Sequence, residues 1–381
     1  MTRRTIEGSV AIAETVRNCI PDVVACYPIT PSTHIAEELA QIYADGEIKE
    51  YIAVESEFAA ISALIGASAA GARTFSTTSS QGLALMHEVL FTVAGMRLPV
   101  VMVVANRALS SPLNIWNDHQ DTISERDSGW VQLYCESNQE AVDAIPQAYK
   151  IAESVNLPVM VNVDGFYLTH SVEQIEVPTC EKIKEFLPAF SPDVKLDSAK
   201  PLSLGVYAFP EHYQSFREDV DKDLNAAQTA IVKAHDEWRD LTNRRYGNGL
   251  WEEVNLENAD YVFIGMGSVM GNVKSVVQDY VKDNCEEFGA IRLRSYRPFP
   301  EKIVEKLKGK RAIAVFEKAL SLGSGGSPPL FAEITSAMQV NSVNGKVSSF
   351  IGGLGGKDVT RENIRGIFSK LKTEKAVKEF L

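Results

Sequence analysis

Short apolar runs alternate through the first half of the chain with segments whose apolar positions repeat every three or four residues. The runs read as buried strands and the periodic segments as helices. Strand-like runs cover residues 22–26, 51–54, 73–78, 98–105 and 157–163. Helix-like segments cover 57–71, 81–94 and 139–154, the last with Ala141, Ile145, Ala148 and Ala152 on one face. Strands and helices in alternation predict a parallel sheet covered on both faces. From about Ser171 to Asn258 the pattern changes: Pro178, Pro188, Pro192 and Pro201 punctuate an irregular stretch, and a charged helical segment follows over roughly 215–245. A second α/β unit starts with the strand 259–265 and continues through 290–294, 311–316 and 347–351. The predicted division is therefore a first domain over 1–195, a connector with a long helix over 196–256, and a second domain over 257–381. There is no internal repeat and no low-complexity tract.

The junctions between these elements carry the candidate chemistry. Tyr27-Pro28-Ile29-Thr30-Pro31-Ser32 lies between the strand 22–26 and a helix with Ile35, Leu39 and Ile42 on one face. Its two prolines restrict the backbone on either side of Ile29-Thr30. Pro31 suits a first helical position and Thr30 the N-cap before it. That places a hydroxyl at the carboxyl end of a strand, where open α/β sheets bind ligands; a helix cap and nothing more is the plainer reading. Glu55-Ser56-Glu57 stands at a second strand–helix junction. A carboxylate there can accept from helix amides, or face a ligand and exchange a proton with a ring nitrogen. Asn106-Arg107-Ala108-Leu109 follows the most apolar strand, and its arginine can fork onto a substrate carboxylate or form a salt bridge.

The segment Ser110 to Arg126 holds Asn114, Trp116, Asn117, Asp118, His119, Gln120 and Asp121. It is unusually polar for a stretch between buried elements, in the manner of a positioning or interface loop. Asp118-His119 has no second histidine at ligand spacing, so no metal site is expected. Gly265-Met266-Gly267-Ser268-Val269-Met270-Gly271 fits a dinucleotide fingerprint only loosely. Its third glycine comes one residue late, and the next strand carries Arg292 and Arg294 where the fingerprint wants an acid.

Composition narrows the classes further. At 381 residues the chain suits two or three domains. The formal net charge is −12, with no dense Lys/Arg cluster, so nucleic acid is not an expected partner. No apolar run is long enough to cross a bilayer, and Met1 to Glu7 leads into a helix without a signal core. A cytoplasmic protein without membrane contact is expected. The five cysteines are scattered with no Cys-x-x-Cys, which predicts buried free thiols.

Taken together, Tyr27 to Ser32, Ser56-Glu57, Ser79-Ser80-Gln81-Gly82, Asn106 to Leu109, Asn114 to Asp121, Arg294-Ser295-Tyr296-Arg297-Pro298-Phe299-Pro300 and Gly353 to Thr360 resemble the α-type chain of the 2-oxoacid:ferredoxin oxidoreductase family, in its pyruvate branch. The resemblance implies an α/β fold: a parallel-sheet domain that binds the pyrimidine of thiamine diphosphate, then a transketolase C-terminal-like domain. It implies thiamine-dependent oxidative decarboxylation of pyruvate to acetyl-CoA and CO2, or the reverse synthesis, with electrons passed to ferredoxin. Thiamine diphosphate would be shared with a β subunit, Mg²⁺ and iron–sulfur clusters would sit on partner subunits, and coenzyme A would be a substrate. Partners would be β, γ and δ subunits, and ferredoxin. The absence of Gly-Asp-Gly and of cluster-type cysteine spacings fits an α subunit that does not act alone.

By the same resemblance Pro28, Ile29, Thr30 and Glu57 bind cofactor, Glu57 at the pyrimidine N1′, while Thr30, Arg107 and Asn114 bind substrate. Glu57, Thr30 and Arg107 are the catalytic set; no residue is assigned to a metal. Other 2-oxoacids (2-oxoglutarate, branched-chain or aryl oxoacids, oxalate), a non-catalytic scaffold subunit and a Rossmann-type dehydrogenase subunit are the alternatives. The loose fingerprint weighs against the last.

Overall fold

The computed structural model describes residues 3–373 and 375–381. The β-branched runs Val101–Asn106 and Val159–Asp164 are buried along their whole length and pair in parallel, from Val101 opposite Val159 to Asn106 opposite Asp164. Strands buried on both faces need no polar alternation, which is why these two are nearly all apolar. They sit at the centre of a seven-stranded sheet in the order Ser295–Arg297, Val131–Tyr134, Val159–Asp164, Val101–Asn106, Thr74–Thr78, Val23–Cys26, Glu50–Ala53. Only the edge strand Ser295–Arg297 runs antiparallel to its neighbour. A second sheet has the order Lys378–Phe380, Lys346–Ile351, Ala312–Glu317, Tyr261–Gly265, Phe288–Leu293, Trp251–Val254, again parallel except at the last edge.

Several local expectations are corrected. The helix expected over 81–94 is two, Ser80–Leu85 and His87–Gly95, divided at Met86. The chain enters its first helix, Gly8–Asn18, through a short strand, Arg4–Glu7, paired antiparallel with Val172–Ile175. Within the segment expected as connector, the long helix Pro210–Thr242 lays Ala227, Ile231, Ala234 and Trp238 against the helix Asn138–Val155. Trp251–Val254 is an edge strand of the second sheet, and Ser295–Arg297 returns to the first. The chain thus crosses between the sheets more than once.

A buried ion cluster locks the crossing. Glu140, on Asn138–Val155, accepts from Arg292 Nη1 at 2.7 Å and from Arg294 Nε at 2.9 Å. Arg292 Nε also reaches Glu252 at 3.0 Å, and Arg294 Nη2 reaches Gln147 Oε1 at 3.2 Å. Burial pushes the Glu140 carboxyl up, but the two guanidinium groups outweigh it and hold it below the usual range. Arg292 and Arg294, which stand where a dinucleotide fold wants an acid, are ion-pair partners of the first domain.

Glu317 ends the strand Ala312–Glu317, and its two oxygens accept from Leu330 N and Phe331 N, at 2.9 and 3.0 Å, at the start of the helix Pro329–Val340. Burial pushes this carboxyl from 4.5 up to about 7. The native state therefore holds the proton more tightly than the unfolded chain. Stability from this group falls as pH rises from 4.5 to about 7 and levels off above. Glu317→Gln is expected to flatten that slope, read as melting temperature against pH; an unchanged slope would assign it to other groups.

Candidate active site

Four neighbouring strands of the first sheet end at one edge, after Asn106, Thr78, Cys26 and Ala53 in that order across the sheet. Each is followed by a segment singled out in the sequence.

After Glu50–Ala53, Ser56 caps the helix Glu57–Ala69 by accepting from Ala59 N at 3.2 Å. This leaves Glu57, the first residue of the helix, free of the capping role. Glu57 is 6% exposed. Among the described residues its carboxylate has neither a hydrogen-bond donor nor an ion-pair partner. It lies against Gly82, where a Cβ would come within 2.5 Å of both Glu57 Oε1 and Thr78 Oγ1. The bare backbone of Gly82 is thus what leaves room for the carboxylate. The Thr78 hydroxyl is buried and also without a partner. Buried polar groups left unpaired within a chain are completed by water or by a ligand.

After Val23–Cys26 the structure departs from the expected cap. Ser32 donates from both N and Oγ to Ile29 O at 2.8 Å, closing a turn over 29–32, and the helix begins only at Thr33. Pro31 precedes the helix, and Thr30 does not cap it. Pro28 and Thr30 are exposed and Ile29 is half-buried. The Thr30 carbonyl accepts from Arg107 Nη1 at 2.9 Å.

Arg107 follows Val101–Asn106. Its Nε donates to Asn114 O at 3.1 Å and its backbone N to Asp121 Oδ2 at 2.9 Å. It is 7% exposed, and among the described residues it forms no ion pair, so the expected alternative of a salt bridge is not what is found. Burial lowers its basicity, with the Asp121 charge opposing. Of the five guanidinium donors two are used, which leaves three for an anion.

Asp121 was not singled out by sequence reasoning as a site residue. It accepts from Ser80 N, Arg107 N, Asn106 Nδ2 and Thr122 N, at 2.8–3.0 Å, and so ties two strand ends together. Burial pushes it up to about 6. Its donors Ser80 and Arg107 lie 41 and 14 residues away, a separation no local pattern reports.

The Asn114 amide is engaged within the chain. Its Nδ2 donates to Gly355 O at 3.1 Å and its Oδ1 accepts from Trp116 N at 2.7 Å, so the amide holds the loop to the second domain. Only its carbonyl reaches the Arg107 cluster. The same loop sends His119 Nε2 to Asp164 Oδ1 at 2.7 Å. Asp164 Oδ2 takes Lys318 Nζ at 2.7 Å and Ser268 Oγ at 2.5 Å from the second domain. Lys318 and His119 overcome the burial of Asp164 and hold it well below the usual carboxylate range. Gly267 has φ +77°, and a Cβ there would come within 2.7 Å of His119 Cε1 and 2.9 Å of Asp164 Oδ1. Gly267 therefore serves this seam. A cavity of ≈ 590 Å³, lined by Trp116, Phe166, Tyr167 and residues 354–358, opens along the same seam.

The geometry can be set beside known proteins. The family described as pyruvate flavodoxin/ferredoxin oxidoreductase, thiamine diphosphate-binding, matches residues 14–236, and pyruvate:ferredoxin oxidoreductase core domain II matches 259–364. Pyruvate synthase subunit PorA of Methanocaldococcus jannaschii is 48% identical over 97% of this chain and 95% of its own. Ketoisovalerate oxidoreductase subunit VorA of Pyrococcus furiosus is 42% identical over 97% and 94%. Among solved structures, 2-oxoglutarate:ferredoxin oxidoreductase from Magnetococcus marinus superposes with a TM-score of 0.71 at 18% identity, over 97% of this chain and 65% of that one. A split-gene transketolase, determined as an inactive β4 tetramer, superposes with a TM-score of 0.54 at 11% identity, over 97% of this chain and 98% of that one. These two show the fold: a thiamine-type parallel-sheet domain followed by a transketolase C-terminal-like one. Matched by both family domains and by full-length relatives, the chain belongs to the pyruvate:ferredoxin oxidoreductase family.

Proposed function

We propose that the chain is the α subunit of a multi-subunit pyruvate:ferredoxin oxidoreductase. It would convert pyruvate and coenzyme A to acetyl-CoA and CO2, or run the reverse synthesis, with electrons passed to ferredoxin. The observation that carries this reading is a buried carboxyl, Glu57, on the same sheet edge as a buried guanidinium, Arg107, neither in an ion pair among the described residues, in a chain 48% identical to a pyruvate synthase subunit. Residues 1–195 would form the pyrimidine-binding domain, 196–256 the connector and 257–381 the transketolase C-terminal-like domain.

Thiamine diphosphate, when bound, supplies the electron sink for loss of CO2. The Glu57 carboxyl and the orphaned Thr78 hydroxyl beside Gly82 fit its polar pyrimidine ring. Glu57 would exchange a proton with its N1′, and Pro28 and Ile29 would wall the ring. Thr30 contributes a hydroxyl released from capping. Arg107 offers its three remaining N–H groups to the 2-oxoacid carboxylate, and Asp121 and the Asn114 carbonyl fix the direction in which it points. Mg²⁺ and iron–sulfur clusters belong to β, γ and δ partners. No helix among the described residues is long and apolar enough to cross a membrane, and we place the complex in the cytoplasm.

The test is oxoacid-dependent electron transfer by the native co-purified complex. Pyruvate is expected to be preferred. Preference for a branched-chain oxoacid would move the chain to the branch of its VorA relative, and no oxoacid-dependent reduction at all would sink the reading. Arg107→Lys keeps the charge and loses the planar fork. It is expected to lower kcat/KM for pyruvate by ~1–3 kcal/mol, mostly through KM. Wild-type kinetics with every oxoacid would remove the clamp.

A further inference from the structure

The apolar stripe of the helix Pro210–Thr242 outruns its packing partners. Tyr213, Phe216, Val220, Leu224, Ala227, Ile231, Ala234 and Trp238 follow one another at spacings of three and four, and so lie on one face. From Val220 onward the stripe packs against the helices His87–Gly95 and Asn138–Val155. Its first two members stay about half or more in water: Tyr213 is 59% exposed and Phe216 49%. The strap leading into the helix adds Tyr207 at 85% and Phe209 at 58%, with their rings edge to face at 5.4 Å.

These four residues leave roughly 500 Å² of surface, rings, hydroxyls and backbone together, in water. That is comparable to the largest apolar patch of an ordinary monomer, ~300–600 Å². It also matches the apolar part of one side of a standard interface, which buries ~800 Å² per partner and is a little over half apolar. Aromatic residues are the side chains enriched at such surfaces.

The charge around the patch selects the occupant. Between Glu211 and Lys222 there are four carboxylates, Glu211, Glu218, Asp219 and Asp221, against two cations, Arg217 and Lys222. A second copy of the chain would set this acidic excess against itself, and an anionic membrane would meet the same repulsion. A protein surface with an apolar groove and a basic rim meets none.

We infer that the strap 202–209 and the first two turns of the long helix form the docking surface for a different subunit of the same complex, one that presents an apolar groove rimmed by Lys or Arg. This rests on the chain being a subunit of a multi-subunit enzyme.

The test uses the native co-purified complex. A photo-cross-linking amino acid placed at Tyr207 or at Tyr213 is expected to join this chain to another subunit, identified by mass spectrometry. Tyr207→Glu with Phe209→Glu is expected to weaken retention of that subunit ~10-fold or more. The chain's own melting temperature should stay unchanged, because both side chains are exposed. Cross-links to a second copy of this chain overturn the inference, as does the absence of cross-links in an assembled complex. Cross-links to another subunit in a complex without oxoacid-dependent activity would uphold the docking surface and sink the proposed function.

Discussion

Glu57→Gln is expected to lower turnover of the assembled enzyme by ~10²–10⁴-fold, the range for loss of a positioned acid–base group. Glutamine fills the same space over Gly82, and Ser56, not Glu57, caps the helix, so folding and assembly should survive. In the proposed role, what the amide lacks is an acidic proton to exchange with the pyrimidine N1′. Two measurements separate this from a structural effect. Size-exclusion chromatography should show the full complex, while hydrogen–deuterium exchange at C2 of the bound cofactor should slow with turnover. Wild-type exchange in the variant would remove Glu57 from the mechanism. Lost assembly with normal exchange in the remaining complex would make it a structural residue. Thr30→Val is a useful companion: the helix begins without the Thr30 hydroxyl, so a loss of activity there cannot come from a lost cap.

Glu140→Gln should have the largest effect on stability, ~3–5 kcal/mol. It leaves Arg292 and Arg294 buried without the carboxylate that both of them face. Burying charge is costly and is repaid only while the pairing is complete, so removing one partner is worse than removing all. Replacing the three residues together by leucine and methionine is accordingly expected to recover most of the loss. Equilibrium unfolding in urea reads both variants. A Glu140→Gln change below ~1 kcal/mol, the level of an exposed pair, would mean that the cluster does not hold the two domains together. The pH dependence has the opposite sign from that of Glu317. Glu140 is held below its ordinary range in the fold, so its contribution is present above that range and lost as pH falls through the folded value.

The parts of this protein that were legible in its sequence are those written by local burial. Val101–Asn106 and Val159–Asp164 announce themselves because a strand covered on both faces must be apolar throughout. The strand–helix junctions at Tyr27 to Ser32, Ser56-Glu57 and Asn106-Arg107 are legible for the same reason, and they do end on one sheet edge. Ser295–Arg297, three residues long, carries too little pattern to be seen, and its partner strand Val131–Tyr134 is remote in the chain. The cap expected at Thr30 is not found, because local pattern cannot show that the turn closes two residues later, on Ser32.

What only the tertiary structure decided is which groups meet. Arg107 reaches a carbonyl 77 residues away, Asn114 one 241 residues away, and Glu140 binds arginines 152 and 154 residues along the chain. Periodicity records whether a residue faces the core or water, because that is set by neighbours within a turn or two of it. The partner of a polar group is set by how the strands are ordered in the sheets, and that order has no local signature. The sequence by itself therefore determined the layered α/β fold and the sheet edge on which the candidate residues stand. The packing of the two sheets decided that Asn114 and His119 hold the domain seam and that Asp121 braces Arg107, leaving the buried Glu57 and Arg107 side chains of that edge without an ion-pair partner among the described residues.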